Sequence, residues 1–351
     1  MKNKVYNTVK KYNMISASDT VLVALSGGAD SVSLLHILLS LKNELGFNIA
    51  AAHVNHMIRG KEADRDELFV RSLCDKLNIS LKIGRFNIPE ISKKTGESEE
   101  LCGRRKRYEF FEQTAPGAKI ATAHNLNDCA ETFFLNLSRG AGLKGLTGIP
   151  PVRGNIIRPL IECERDEIEN YCYENRLAFV TDSTNLSDDY TRNKIRHSVL
   201  PVMNEINPSF FSVFLRNTDS LKEDMLYIEK EVNRAYNSIP DKKKIDISFL
   251  LGLDRSIRNR VLSKLITENT SLCPELRHID IINTNLQNGF GALTLSSDFT
   301  VKIEKEFLLF KSNKNSFKSV HINISSKDFI YKTPYGEIEF VLLNKKLSDL
   351  K

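Results

Sequence analysis

A glycine-rich turn between an apolar run and an amphipathic run is the first feature that could do chemistry. Val21–Leu25 is apolar, the turn Ser26–Ser31 reads Ser-Gly-Gly-Ala-Asp-Ser, and Val32–Leu45 has helical periodicity. Glycines let a backbone approach an anion closely, and a helix N-terminus offers unpaired N–H groups and a positive dipole end. The turn therefore predicts a phosphate site, and its candidate ligands are Ser26, Gly27, Gly28, Ala29, Asp30 and Ser31.

The aspartate of this turn is a candidate metal ligand. A carboxylate beside phosphates makes sense mainly when Mg²⁺ lies between the negative charges, so Asp30 predicts that ion. The turn has no Walker lysine and does not fit Gly-x-Gly-x-x-Gly, so it supports neither a P-loop nor a dinucleotide site. The alternative is a tight strand–helix turn in which Asp30 only caps the helix.

Two histidines end the second apolar run, in the order His53-Val54-Asn55-His56. The carboxyl edge of a parallel sheet is where ligands bind, so His53 is predicted to face an adenosine or to support the backbone there. Metal binding is disfavoured because no cysteine or carboxylate accompanies the pair at ligand spacing. A histidine that is merely satisfied within a loop is the remaining alternative.

Four consecutive cations run from Arg104 to Arg107. On a helix, Arg104 and Arg107 share a face and could clamp a phosphate, whereas Arg105 points elsewhere. A solvated basic turn is the alternative.

A strand end followed by a helix start occurs again at Thr122–Thr132. Asp128 and Glu131 stand three residues apart near His124, a spacing that could hold Mg²⁺ or a substrate ammonium group. An acid in the first helical turn also complements the helix dipole, and this alternative stays open.

Further cations follow in two places. The glycine-rich loop Arg139–Ile149 carries Arg139 and Lys144, and flexible loops of this kind often close over substrates. Arg192 and Arg196, four residues apart, make a phosphate-sized pair. These four side chains are predicted to contact RNA or pyrophosphate.

The elements that must position these residues alternate between β-rich and amphipathic runs in the first half of the chain. This alternation predicts an α/β fold with a doubly wound parallel sheet covered by helices. Asn207-Pro208 interrupts the pattern, so we place a first domain at residues 1–208 and a mostly helical domain at 209–312. Residues 313–351 are expected to form a short or truncated β-rich segment.

Composition narrows the class of protein. The chain has 351 residues, 41% hydrophobic and 27% charged, which favours a globular protein of two or three domains over a disordered or fibrous one. Its net charge of +6 is concentrated around the motifs above, as expected for a phosphate-rich ligand. The six cysteines include no Cys-x-x-Cys, and no run suggests a signal peptide or a membrane span. A soluble, cytoplasmic protein is expected.

Together and in this order, the motifs make the chain similar to the tRNA(Ile)-lysidine synthetase (or synthase) family of PP-loop proteins. The matching segments span roughly residues 18–205 and are the Ser26–Ser31 turn, His53–His56, Arg104–Tyr108, Thr122–Thr132, the loop at 139–149, Arg158-Pro159-Leu160 and Arg192–Arg196. The resemblance implies a Rossmann-like domain that cleaves ATP between its α- and β-phosphates.

The family's reaction joins free L-lysine to carbon 2 of the wobble cytidine in an isoleucine tRNA with a CAU anticodon. By resemblance, Asp30 would hold Mg²⁺, Arg104 and Arg107 would stabilise the transferring phosphate or pyrophosphate, and His124, Asp128 and Glu131 would line the lysine and adenylate pocket. The helical domain would grip the tRNA, and a homodimer stays open.

Three departures from the family pattern are visible. Asn127 stands where an aspartate is usual, Gly103 replaces an alanine, and Cys129 takes a place often held by glutamine. The C-terminal part is also shorter than in longer members. A 2-thiocytidine enzyme would need Cys-x-x-Cys-type ligands, and a glutamine-dependent synthetase would need a glutaminase domain, so both are disfavoured. A non-catalytic RNA- or nucleotide-binding module is the rival from another class.

Overall fold

The computed structural model describes residues 1–180, 190–313, 329–333 and 336–340. The chain divides into two compact units, Met1–Lys230 and Glu231–Lys351. The domain boundaries that the sequence suggested, after residues 208 and 312, stay predictions. Much of the predicted C-terminal segment, 313–351, lies outside the described residues.

The first unit is organised around one mixed sheet. Within the described residues its strand order is β3-β2-β1-β4-β6-β5, and β5 alone runs antiparallel to its neighbour. The strands are β1 (Thr20–Ala24), β2 (Asn48–Asn55), β3 (Leu81–Arg85), β4 (Lys119–Ala121), β5 (Val152–Arg153) and β6 (Ile156–Ile157). The parallel order with β1 at its centre confirms the predicted doubly wound sheet.

Helices connect and cover these strands. They are α1 (Lys2–Lys11), α2 (Ala29–Leu45), α3 (Lys61–Lys76), α4 (Ile88–Thr95), α5 (Glu99–Thr114), α6 (Leu126–Ser138), α7 (Leu143–Leu146), α8 (Arg165–Glu174), α9 (Tyr190–Lys194) and α10 (Leu200–Ile206). A π-helical turn, Ile195–Val199, joins α9 to α10. The long helix α11 (Phe210–Ser238) follows and crosses the division between the units.

Both faces of the sheet are buried, because alternate residues of its central strand belong to different cores. Val21 and Val23 of β1 pack in the larger core with α1, α2 and α8. Leu22 packs on the opposite face with Phe111 of α5 and Ile120 of β4. A strand buried on both sides reads as a continuous apolar run, which is why Val21–Leu25 shows no alternation.

The second unit combines helices with an antiparallel sheet. Its helices after α11 are α12 (Ile247–Gly252), α13 (Arg255–Thr270) and α14 (Leu276–Asn288). Its main sheet has the order β7-β10-β9-β8, from β7 (Lys244–Asp246), β8 (Gly291–Ser296), β9 (Phe299–Glu304) and β10 (Phe307–Ser312). A hairpin, β11 (Phe329–Thr333) and β12 (Gly336–Phe340), is also described. The helical middle and the later strands agree with the sequence prediction.

Two further predictions concern the whole chain. All six cysteines are free thiols, as expected, and Cys273 alone among them is exposed. No helix in the described part of the chain is long and apolar enough to cross a membrane.

Candidate active site

The glycine-rich turn is organised by the hydroxyl of Ser31. Ser26, Gly27 and Gly28 connect β1 to α2, whose first turn contains Ala29, Asp30 and Ser31. Ser31 Oγ accepts from the backbone N–H groups of Ser26 at 3.2 Å and Gly27 at 3.1 Å, and it donates to Gly28 O at 3.0 Å. Ser31 is buried and shapes the turn, and the Ser26 hydroxyl donates to Ser31 Oγ at 3.1 Å although Ser26 itself is exposed.

Gly27 is the residue of the turn whose backbone requires glycine. Its φ of +98° lies in the region that side chains rarely adopt, and a Cβ there would lie 2.9 Å from Val180 Cγ2. Val180 also donates its backbone N–H to Gly27 O at 3.0 Å. The chain before residue 181 therefore lies directly against the turn, a contact that the sequence did not predict.

Asp30 meets the end of β4 through an amide. Asn125 Nδ2 donates to Asp30 Oδ1 at 3.3 Å. Burial, and then the negative charge of Asp128, raise the pKa of Asp30 to about 6. A carboxylate that is costly to ionise by itself is one that a bound cation would stabilise. Asp30 lies in the first turn of α2, but Gly28 is the N-cap, so Asp30 does not cap the helix.

Asp128 has a structural partner as well as a place in the site. Asn125 and Asp128 form a reciprocal capping box at the start of α6, with Asn125 N–H bonded to Asp128 Oδ2 and Asp128 N–H to Asn125 Oδ1, each at 3.0 Å. Asp128 Oδ1 lies 3.7 Å from Arg196 Nη2, and its side chain is 24% exposed. The Asp128 carboxyl group can therefore serve both predicted roles: it stabilises the start of α6, and it remains partly accessible to Mg²⁺ or a substrate ammonium group.

Glu131 is paired with the arginines that were predicted to contact RNA or pyrophosphate. Its side chain is fully buried and accepts from Arg196 Nε at 2.6 Å and Arg196 Nη2 at 3.0 Å. Arg192 Nε lies 3.4 Å from Glu131 Oε2, and Arg192 Nη2 donates to Thr132 Oγ1 at 3.0 Å. Both arginines thus lie beside α6, and Glu131 is held by cations.

The basic run on α5 splits into separate contacts. The Arg104 guanidinium lies 5.4 Å from the centre of the Tyr108 ring. Arg107 Nη2 donates to His56 Nε2 at 3.0 Å, whereas Arg105 pairs with Glu97 and Glu109. Arg105 points elsewhere, as the helical spacing predicted. His56 had no predicted role, and in the structure it holds Arg107.

Two histidines of the motifs are uncharged at neutral pH. Burial lowers the pKa of His53, whose Nδ1 donates to Leu25 O at 2.8 Å, next to the turn. This contact fits the backbone-support interpretation of His53. Burial lowers the pKa of His124 to about 4, and His124 Nδ1 shares a hydrogen bond with Thr122 Oγ1 at 3.0 Å.

The loop cations are not joined to this group. Arg139 ends α6, Lys144 lies in α7, and both side chains are exposed. No described contact links either of them to the other candidate residues. Their predicted role toward RNA or pyrophosphate stays a prediction.

Asn125 and Arg158 are polar residues of the site that carried no predicted role. Asn125 connects Asp30 to α6, and Arg158 lies buried at the end of β6 with Nη1 2.6 Å from Pro150 O. Each follows a short β-rich run at the carboxyl edge of the sheet. A search of predicted strand ends for every polar residue, beyond the acids and histidines, would have found Asn125, whereas the two residues of β6 are too few to mark a strand before Arg158.

A solved structure shares a fold with this chain. The chain is similar to the U34-tRNA thiolase NcsA from Methanococcus maripaludis, a structure with its [4Fe-4S] cluster, with a TM-score of 0.53 and 22% identity. The likeness covers 63% of this chain and 77% of that one. At this identity it supports a shared fold and nothing about the cluster.

Sequence comparisons are more specific. A family model described as a PP-loop domain matches residues 1–203. Curated tRNA(Ile)-lysidine synthases are 43% identical in Caldanaerobacter subterraneus, 38% in Clostridioides difficile and 40% in Clostridium perfringens. These matches cover 76%, 93% and 86% of this chain, and 58%, 74% and 69% of the respective relatives. The PP-loop turn and the long matches agree: the chain belongs to the tRNA(Ile)-lysidine synthase family.

Proposed function

We propose that this protein uses ATP to join the side-chain amine of free L-lysine to carbon 2 of the wobble cytidine in a CAU-bearing isoleucine tRNA. The products would be AMP, pyrophosphate and a tRNA that reads AUA instead of AUG. The observation that carries the proposal is the approach of Asp30, behind the phosphate-binding turn, to Asn125 and Asp128 at the end of β4. The ATP site and the pocket for lysine and the adenylate would then lie at the same edge of the sheet.

The turn fits the phosphates of ATP. Gly27 gives the turn a backbone conformation, φ +98°, that a side chain packed against Val180 would not allow, and α2 begins directly behind the turn. Ser26 is exposed, and its hydroxyl, which bonds Ser31 Oγ in this structure, would add a donor if it turned to the phosphate. His53 would then act through Leu25, by holding the strand that leads into the turn.

A magnesium ion also fits the residues present. Mg²⁺ is usually held by one or two carboxylates together with substrate phosphates and water, so a larger protein cage is not needed. Asp30, with Asp128 nearby, would hold it, and the ion would offset the negative charge that builds on the phosphates. No group of three or more metal-binding side chains occurs among the described residues, which suits an ion shared with a substrate.

In the first step, O2 of the cytosine would attack the α-phosphate of ATP. A bond forms between O2 and the α-phosphorus, the bond to the bridging oxygen of the β-phosphate breaks, and pyrophosphate leaves. Arg104 and Arg107 are candidates to stabilise this charge, because α5 carries both toward the same edge of the sheet. His56 would hold Arg107 in place.

In the second step, the amine of lysine would attack carbon 2. The new bond to nitrogen forms, the bond between carbon 2 and O2 breaks, and AMP leaves with that oxygen. The amine must lose a proton, and Asp128 is better placed to accept it than Glu131. Asp128 is part-exposed, whereas Glu131 is fully buried and already bonded to Arg196.

The test is incorporation of labelled lysine in the presence of ATP and Mg²⁺. The expected result is incorporation into isoleucine tRNA bearing CAU and none into methionine tRNA with the same anticodon. If pyrophosphate is released only when tRNA is present but no lysine is incorporated, the ATP-dependent first step would be supported. Lysine as the attacking amine would be contradicted. No release at all would favour a binding module.

A further inference from the structure

A buried arginine lies at the same sheet edge, beside the candidate site. Arg158 directly follows β6, which pairs in parallel with β4, and Thr122 N–H donates to Ile157 O at 3.0 Å. Because parallel neighbours end at the same edge, Arg158 and the residues after β4, including His124, lie at that edge together.

Among the described residues, Arg158 has no acid of the kind that normally pairs with a buried cation. Its exposed fraction is 2%, and its Nη1 donates to the backbone carbonyl of Pro150. Its Nε has no hydrogen-bond partner, and no carboxylate forms an ion pair with it among the described residues. Buried charges are usually paired, and one carbonyl does not balance a guanidinium. Glu131 differs from Arg158 in this respect, because its buried carboxylate forms an ion pair with Arg196.

The surroundings of Arg158 are positive. Arg104 and Arg153 both lower the pKa of Arg158, and burial lowers it most. Arg158, Arg104 and Arg192 each lower the pKa of His124, and Asp128 alone among the charges identified opposes them. An anion at this place would be stabilised by several guanidinium groups at once.

We propose that Arg158 is an anion-binding residue that takes a phosphate group of a bound substrate at the β4–β6 end of the sheet. The inference rests on the proposed function, which supplies two phosphate-bearing substrates, ATP and tRNA. The sheet order β1-β4-β6 puts Arg158 two strand spacings, roughly 10 Å, from the strand that carries the Ser26–Ser31 turn. Arg158 therefore approaches a bound phosphate from the β6 side of the edge and not from the strand that carries the turn.

A purely structural role is the competing explanation. Arg158 bonds Pro150 O through Nη1, and its backbone N–H bonds Pro151 O at 3.0 Å, so it could serve only to brace this turn. The variants must therefore separate charge from bracing. Arg158→Met removes both, and Arg158→Gln removes the charge while it keeps a shorter side chain with an amide donor. Arg176→Met is the matched control, because Arg176 is an exposed arginine of the first unit with no assigned role in the site.

The full chain would be titrated separately with Mg-ATP and with a CAU-bearing isoleucine tRNA transcript, and thermal unfolding would be followed for each variant. We expect Arg158→Met and Arg158→Gln to weaken one of the two titrations by about 10-fold or more, as loss of a charged hydrogen bond does. Arg176→Met should change both by less than about 2-fold, as an exposed charge does. A weaker tRNA titration with a salt slope reduced by about 1 identifies an RNA phosphate, and a weaker Mg-ATP titration identifies the nucleotide.

Wild-type-like titrations for Arg158→Gln would overturn the inference and leave Arg158 as a brace, whatever happens to the unfolding temperature. Arg158→Gln gives this answer even where Arg158→Met does not fold. Wild-type binding without lysine incorporation would contradict the proposed function instead, and the comparison of variants would still decide the role of Arg158.

Discussion

The Glu131 carboxylate of α6 is held by the Arg196 guanidinium, with Nε at 2.6 Å from Oε1 and Nη2 at 3.0 Å from Oε2. The two residues are 65 positions apart, so the bond ties the π-helical turn to α6. Arg192 joins the same carboxylate. Arg192 and Arg196, which were predicted to contact RNA or pyrophosphate, are thereby positioned by Glu131, which the family resemblance placed in the lysine pocket.

The two acids of α6 are expected to respond differently to neutralisation. Glu131→Gln leaves Arg196 without its charged partner and should lower the free energy of unfolding by about 1–3 kcal/mol. Asp128→Asn keeps an oxygen for the capping box, so it should cost less than about 1 kcal/mol but raise the KM for lysine by roughly 10-fold or more. Urea unfolding and lysine kinetics measure the two effects. A raised lysine KM for Glu131→Gln alone would reverse the assignment.

Asp30→Asn is expected to stabilise the ligand-free protein while it impairs the reaction. The folded pKa of Asp30, about 6, lies above its value of 3.8 in the unfolded chain, so ionisation opposes folding increasingly between these pH values and fully above pH 6. Above pH 6 the variant should be more stable by roughly 1–3 kcal/mol, and below pH 4 the gain should vanish. Turnover should fall on the order of 10²-fold or more.

Thermal unfolding of both proteins at pH 4 and pH 7.5 gives the stability difference, and pyrophosphate release gives turnover. If Asp30→Asn and the wild type are equally stable at pH 7.5 as well as at pH 4, the raised pKa of a buried Asp30 would be contradicted. Near-wild-type turnover would contradict its role with Mg²⁺.

Two glycines make a matched pair of substitutions. Gly27→Ala places a Cβ 2.9 Å from Val180 Cγ2 at a φ of +98°, so it should destabilise the turn by at least about 1 kcal/mol and weaken ATP binding. Gly103→Ala, inside α5, would place its Cβ 3.6 Å from His56, an ordinary contact, and should stabilise the protein by about 0.5–1 kcal/mol. Denaturant midpoints for both variants provide the check, and a loss of stability in Gly103→Ala would refute the expected fit beside His56.

The bond between His56 and Arg107 predicts a loss of stability in acid. Burial, and then the charge of Arg107, lower the pKa of His56 to about 4, so the neutral ring is favoured by folding. The stabilisation is present above pH 6.5 and is lost as the pH falls toward 4. His56→Gln keeps an acceptor for Arg107 but does not titrate. Between pH 6.5 and pH 4 the variant should therefore lose less stability than the wild type, by a difference of up to about 3 kcal/mol. Parallel pH profiles for the two proteins would exclude this titration.

Local chemistry in the sequence was sufficient to find the phosphate-binding turn and the sheet that carries it. Glycine at position 27 has no conformational substitute, and the apolar run before it has the length of a buried strand, so both features are visible in one short segment. The short strands β5 and β6 gave no such signal, because two residues are too few to show a period.

Partners distant in sequence could not be read in this way. The residue types and spacing at positions 128, 131, 192 and 196 determined that acids and arginines would be available at strand ends and on helices. Only the tertiary structure decided that Glu131 is bonded to Arg196, that Asp128 stays part-exposed, and that Arg158 is buried with no acid paired to it in the described part of the chain. The physical reason is that periodicity fixes which face of an element a side chain occupies, whereas its charge partner and its burial depend on which elements the fold brings against that face.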